Sequence, residues 1–239
     1  MGNSLTCNLD SVMSSTRLLP AVVSASRTAQ TATYIFLHGL GDSGHGWSYA
    51  LKDIVPDYCK LICPHAPSIP VTLNGGIRMP AWYDIYALSS DARQDEPGII
   101  EASAQLDKFV QAEIDSGIPA DRIVIGGFSQ GGSVALYNAL TKNRHYAGVT
   151  CLSCWLPLHT KLMVDQTLVT VPRDLAVFQC HGTDDCIVPF EMGHATHELL
   201  KRFQMSKCEF LSYQNLGHSS NDQEISDLQS FLKKRLPPS

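Results

Sequence analysis

Six strand-length runs recur along this chain, at residues 33–37, 59–64, 122–126, 148–152, 175–180 and 208–213, with helical stretches between them. The runs are apolar throughout rather than alternating with polar residues. A strand that faces solvent on one side alternates, whereas one apolar at every position is buried on both faces. Between residues 99 and 114, apolar side chains at 99, 102, 106, 109, 110 and 114 trace one face of a helix. Further helical stretches are expected at about 47–55, 190–203 and 221–235, and one should follow the 122–126 strand. This alternation predicts an α/β domain with a mostly parallel central sheet and helices on both faces. In such sheets the chemistry sits beyond the carboxyl ends of the strands. Those ends carry His38, His65, Ser129, Ser153, His181 and the segment after Tyr213.

At 239 residues and 44% hydrophobic content, the chain suits one domain with one large core. Residues 1–30 are rich in Ser, Thr and Ala without periodicity and are expected to form a flexible arm. Residues 31–239 make up the domain, and the Pro- and Gly-punctuated stretch at about 65–98 is expected to be an active-site loop. Eighteen Lys and Arg against 23 Asp and Glu give a net charge of −5, with no basic run, so nucleic acid is not an expected partner. No run of apolar residues is long enough for a spanning helix. The eight cysteines do not imply a disulfide framework in a chain this long, and no secretory signal is evident. A cytoplasmic protein is expected.

The stretch Gly127-Phe128-Ser129-Gln130-Gly131 places a serine between glycines where a strand runs into a helix. A sharp turn there pushes the hydroxyl out of the sheet, and the next N–H lies at a helix N-terminus suited to an oxyanion. A serine hydroxyl needs a base, and the base needs a carboxylate to fix its tautomer. Chain order should run Ser, then acid, then His. Asp184 and Asp185 follow the 175–180 strand, and His218 follows the last strand. His194 and His197 fall on a predicted helix and are expected to be surface residues, while His145 and His159 are expected to be structural. The loop His38-Gly39-Leu40-Gly41 would add the Leu40 N–H to that of Gln130 as the oxyanion pair.

Other patterns carry less. Gly39-x-Gly41-x-x-Gly44 lacks the acidic residue a dinucleotide site wants about 20 positions on. The Gly-Asp-Ser-Gly around Ser43 lies in the wrong architecture for a trypsin-like nucleophile. Cys151-x-x-Cys154 has no second pair. No metal and no cofactor are expected.

Phe36-Leu37-His38-Gly39-Leu40-Gly41-Asp42, Cys63-Pro64-His65-Ala66-Pro67 and Pro70-Val71-Thr72-Leu73-Asn74 resemble the acyl-protein thioesterase, or lysophospholipase-like carboxylesterase, family. So do Gly126 to Gly132, Leu152 to Leu158, Gln179-Cys180-His181-Gly182 and His218-Ser219-Ser220. The resemblance implies an α/β-hydrolase that removes palmitoyl-type groups from protein cysteines with Ser129, Asp185 and His218. It puts the acid on Asp185, leaving Asp184 as a solvated neighbour. It also implies an acyl channel lined by Leu40, Leu73, Trp82, Ile85 and Leu88, continued by Trp155, Ile187, Val188 and Met192, although such residues could equally be plain core. The implied partners are S-acylated proteins, lysophospholipids and, transiently, a membrane surface. A general carboxylesterase or lysophospholipase would use the same residues, and a non-catalytic binding module is a remoter alternative.

Two departures from the family outline stand out. Gly75, Gly76 and Arg78 make the loop at 74–84 more flexible and more basic, which leaves acyl-chain preference open. Met1-Gly2-Asn3-Ser4-Leu5-Thr6 fits an N-myristoylation pattern, with Cys7 as a candidate palmitoylation site. The arm is therefore either doubly lipidated or unmodified. Oligomeric state is not legible.

Overall fold

The computed structural model describes residues 18–89 and 91–238. Nine strands run in chain order as β1 (Ala21–Ser24), β2 (Ala32–Leu37), β3 (Cys59–Pro64), β4 (Ser68–Val71), β5 (Ile77–Pro80), β6 (Ile123–Phe128), β7 (Gly148–Leu152), β8 (Ala176–Gly182) and β9 (Lys207–Tyr213). The helices are α1 (Gly44–Leu51), α2 (Glu96–Asp115), α3 (Gln130–Thr141), α4 (His159–Val164), α5 (Phe190–Arg202) and α6 (Asp222–Arg235). Seven strands form one sheet in the order β1-β3-β2-β6-β7-β8-β9, and β4 and β5 form a separate ribbon. All pairings in the large sheet are parallel except β1 against β3.

The apolar runs have the predicted consequence. Along β2, Tyr34 and Phe36 point to one face, and Ile35 and Leu37 to the other, because successive side chains alternate. One face packs against Trp47 and Leu51 of α1 and Leu228, Phe231 and Leu232 of α6. The other packs against α2 through Leu106 and Val110, α3 through Val134 and Leu136, and α5 through Leu200. Both faces are thereby removed from water.

Strand order reverses between β2 and β6: from β2 the chain steps outward to β3, which lies beside β1, and then crosses to β6 and builds the other way through β7, β8 and β9. A crevice forms beyond the strand ends at such a reversal. The register pairs Leu37 with Gly127, so the loop after β2 and the turn after β6 emerge side by side. Helix α3 then packs tightly against the end of β2. A Cβ on Gly131 would lie well inside van der Waals distance of the Leu37 and His38 carbonyl oxygens.

Two stretches differ from expectation. The arm expected at 1–30 contributes β1, whose Ala21 to Ser24 pair with Pro64 to Leu61 of β3. A four-residue edge strand with Val23 largely exposed leaves no periodic signature. The loop expected at 65–98 holds the β4–β5 ribbon and the first turn of α2. Pro70 and Pro80 hid it, but a two-stranded ribbon has outer edges where a missing N–H costs nothing. Gly2 and Cys7 lie outside the described residues. Among these, no helix is long and apolar enough to cross a membrane.

Gly131→Ala should force α3 away from β2. We expect a stability loss of about 1–3 kcal/mol from overpacking, read as a lowered urea midpoint with an unchanged denaturant slope.

Candidate active site

Ser129 sits at the tip of the β6–α3 turn with φ 52° and ψ −123°. A non-glycine residue at such angles is strained, and the surroundings must hold it there. Its N–H donates to the Leu152 carbonyl at 2.8 Å, and its own carbonyl accepts from Ser133 N–H at 3.0 Å. The neighbouring strand and the first turn of α3 thus clamp the residue from both sides.

The loops after β8 and β9 bring the acid and the histidine to this tip. His218 Nε2 lies 2.9 Å from Ser129 Oγ, and His218 Nδ1 lies 2.7 Å from Asp185 Oδ2. A carboxylate can only accept, so the Nδ1 proton points at Asp185 and the Nε2 lone pair faces the hydroxyl. The Phe128 ring packs against the imidazole, tilted at 44° with centroids 4.7 Å apart, and limits its swing. Asp185 Oδ1 accepts from the N–H groups of Ile187 and Val188 at 3.0 and 2.9 Å. Asp184 is exposed, with its carboxylate on the Thr183 hydroxyl.

Behind Asp185 stands His181, fully buried. Its Nε2 is 2.8 Å from the Val188 carbonyl and 3.4 Å from Asp185 Oδ2, so Nε2–H donates toward both. Gly193 makes room for this ring, since a Cβ there would collide with Nδ1. Burial opposes the Asp185 charge. The hydrogen bonds from His181, His218 and Val188 outweigh it and hold the carboxyl well below the ordinary carboxylate range. The sequence pointed to His181 only as a strand-end residue within the family-like His-Gly stretch.

Gln130 N–H is the first of α3 and has no partner within the helix. Leu40 N–H belongs to the loop after β2, which passes directly beside the turn.

A hollow at Ser129 is lined by Leu40, Ile85, Leu88, Phe128, Trp155, Ile187, Val188 and His218. A second cavity shares Ile85, Leu88 and Trp155 with it, and adds Met192, Leu156, Leu199 and Arg93. His159, expected to be structural, also lines this second cavity.

Two expected channel residues line neither space. Leu73 sits on the turn of the β4–β5 ribbon, more than a third exposed. Trp82 is buried, and its indole N–H is committed to the His38 carbonyl at 2.8 Å. His197, expected at the surface, is buried under Phe210 with the rings stacked at 5.3 Å, whereas His194 is exposed. Among the described residues no cluster of three or more His, Cys, Asp or Glu is arranged to hold a metal ion.

A family model described as phospholipase/carboxylesterase matches residues 19–236. Acyl-protein thioesterase 1 of Cryptococcus neoformans is 43% identical over 227 residues, covering 88% of this chain and 94% of that protein. Acyl-protein thioesterase 1 of Neurospora crassa is 43% identical over 232 residues, covering 92% and 91%. Among solved structures, acyl-protein thioesterase 2 of Zea mays superposes with a TM-score of 0.80 at 33% identity, covering 91% of this chain and 99% of that one.

Asp185→Asn keeps the shape of the acid but removes the charge that orients His218. Turnover of an acyl ester should fall by roughly 10³–10⁴-fold. Because the fold depresses this pKa, its stabilisation is complete above about pH 4 and fades as acid protonates the carboxylate. The variant should therefore lose less stability than the parent as the pH falls from about 4 to about 2 in urea melts.

Proposed function

Since the chain belongs to the phospholipase/carboxylesterase family, we propose that it is a serine hydrolase that removes palmitoyl-type acyl groups from S-acylated protein cysteines. The observation that carries this reading is the unbroken line from Ser129 Oγ through His218 to Asp185, at 2.9 and 2.7 Å. His218 takes the hydroxyl proton as Oγ attacks the thioester carbonyl, and Asp185 stabilises the imidazolium. The Leu40 and Gln130 N–H groups bind the tetrahedral oxyanion. The tetrahedral adduct collapses with loss of the cysteine thiolate, which accepts the proton held on His218. Water deprotonated by His218 then attacks the acyl-enzyme, and the fatty acid leaves as His218 returns that proton to Ser129 Oγ.

The apolar hollow formed by Leu40, Ile85, Leu88, Trp155, Ile187 and Val188 supports a long acyl chain over a polar one. Met192 extends that lining into the second cavity. Each methylene moved from water into such a lining contributes about 0.8 kcal/mol. Lysophospholipids and simple esters present the same acyl carbonyl, so oxygen esters form the second substrate class, as the family description suggests.

Substrates of this kind lie at membranes, and the molecule exposes several apolar side chains. Ile77 of β5 and Ile187 beside the hollow are at least half exposed, with Leu73 and Arg78 on the same ribbon as Ile77. Such side chains suit transient contact with a lipid surface. The described cysteines are all free, in keeping with a reducing cytoplasm. In this reading, lipids on Gly2 and Cys7 would supply the paired anchors that stable attachment needs.

Ser129→Ala should lower thioester turnover more than about 10⁴-fold; turnover at the parent rate would refute the mechanism. On matched acyl chains, kcat/KM for thioesters should exceed that for oxygen esters, and the reverse order would make the second class the principal one. Metabolic labelling with alkynyl myristate should mark the full chain and not its Gly2→Ala variant. A label insensitive to that substitution would dismiss the myristoyl anchor.

A further inference from the structure

The oxyanion donors come from two segments far apart in sequence, and Leu40 lies on a loop that nothing covalent ties to the nucleophile turn. A buried chain of hydrogen bonds connects them. The Gln130 side chain is fully buried at the start of α3. Its Oε1 accepts from Trp82 N–H at 3.0 Å, and its Nε2 donates to the Tyr83 carbonyl at 2.7 Å. One carboxamide therefore grips two consecutive residues of the segment that follows β5. Trp82 passes the restraint on, because its indole N–H donates to the His38 carbonyl at 2.8 Å.

His38 is itself locked. Ala66 N–H donates to His38 Nε2 at 3.0 Å, so the ring proton sits on Nδ1 and points to the Gly39 carbonyl at 2.7 Å. Gly41 N–H donates to the Pro80 carbonyl at 2.8 Å, which ties the far end of the same loop to β5. Between these anchors stands Leu40. The Phe128 ring lies against Gly39 on the side of the turn.

We propose that the Gln130 carboxamide is a positioning group for the oxyanion hole, setting the Leu40 N–H through Trp82 and the His38 carbonyl. Gln130 thus acts twice, once through its backbone N–H and once through its side chain. This rests on the serine-hydrolase reading above and adds a residue pair to it. Trp82, expected to touch substrate, becomes a strut. An unmade hydrogen bond in this buried chain would let Leu40 drift, and displacements of about 1 Å at a reacting centre can cost a hundredfold in rate.

Two full-length variants test it. Gln130→Met keeps the volume and removes both carboxamide bonds, while Trp82→Phe keeps an aromatic ring and removes the indole N–H. Folding is checked by near-UV circular dichroism. Each is assayed for kcat and KM on an S-acyl peptide, and for affinity toward an acyl trifluoromethyl ketone, whose serine adduct carries an oxyanion. The expected result is a kcat lower by about ten- to a hundredfold with KM within about twofold. Ketone affinity should fall by the same factor as kcat, because both depend on the oxyanion donors. The double variant should lose little more than the worse single, since both act through one chain of contacts.

A kcat within about twofold of the parent in either folded variant overturns the proposal, as does a rise in KM with kcat unchanged. If Gln130→Met does not fold, Trp82→Phe decides alone. Ser129→Ala separates the two levels: if it abolishes turnover while the positioning variants stay fully active, the proposal fails and the hydrolase reading stands. If Ser129→Ala stays active, both fail.

Discussion

Side-by-side parallel pairing of β2 and β6, with Leu37 level with Gly127, is the constraint on which the site depends. Strand order reverses there, so the chain leaves the two strand ends in diverging directions and opens a crevice between them. The serine turn and the loop that offers Leu40 are the walls of that crevice. Their separation is set by how closely α3 approaches β2, and Gly131 permits that contact. The acid and the histidine arrive from β8 and β9 on the same side, as parallel strands put their carboxyl ends together. Chemistry at the site is therefore a consequence of sheet order before it is a matter of side chains.

Three buried carboxyl groups show how the fold handles charge away from water. Glu113 accepts from Gln30 and Thr33 and pairs with Lys60, so its charge is matched locally. Among the described residues Glu224 has the Cys180 thiol alone as a donor to its side chain, and burial pushes its carboxyl up to about 7. Asp185 takes the opposite course, with backbone N–H groups on one oxygen and two histidines facing the other. Of the three, only this arrangement maintains a charge beside the histidine that gains a proton in the proposed mechanism. The difference lies in donors supplied by the loop after β8, since all three side chains are buried.

Much of this was legible in the sequence because the governing rules are local. A run apolar at every position states that both faces are covered, and a glycine-flanked serine after such a run states where the chain turns. Chain order and strand ends pointed to His218 and to the Asp184–Asp185 pair, the family resemblance put the acid on Asp185, and the structure sets Asp185 and His218 in line with Ser129. What stayed hidden depends on contacts between distant residues. Trp82 looks like an aromatic pocket residue until its N–H is found on His38, 44 positions away. His197 looks like a surface residue on a polar helix, yet Phe210 of the next strand covers it. β1 is too short to carry a period, and the prolines of the β4–β5 ribbon mask strands whose outer edges need no partner.

The molecule divides its work between a rigid sheet and the segment from β4 to α2. Ser129, Asp185 and His218 sit on turns that follow strand ends, where the backbone has little freedom. Ile85 and Leu88, which line the hollow, lie on the irregular segment, pinned by few bonds. Asp95 caps α2 while also accepting from Asp84 N–H, and Thr72 holds the Asp84 carboxylate from the ribbon side. The Gln130 carboxamide is where the two regions meet, because it belongs to the nucleophile helix and grips Trp82 and Tyr83. A change in how the acyl-lining segment sits would be felt at the oxyanion loop through that grip. Under the proposed mechanism, selection of the acyl chain and stabilisation of the transition state would thus be linked by buried hydrogen bonds within a single crevice.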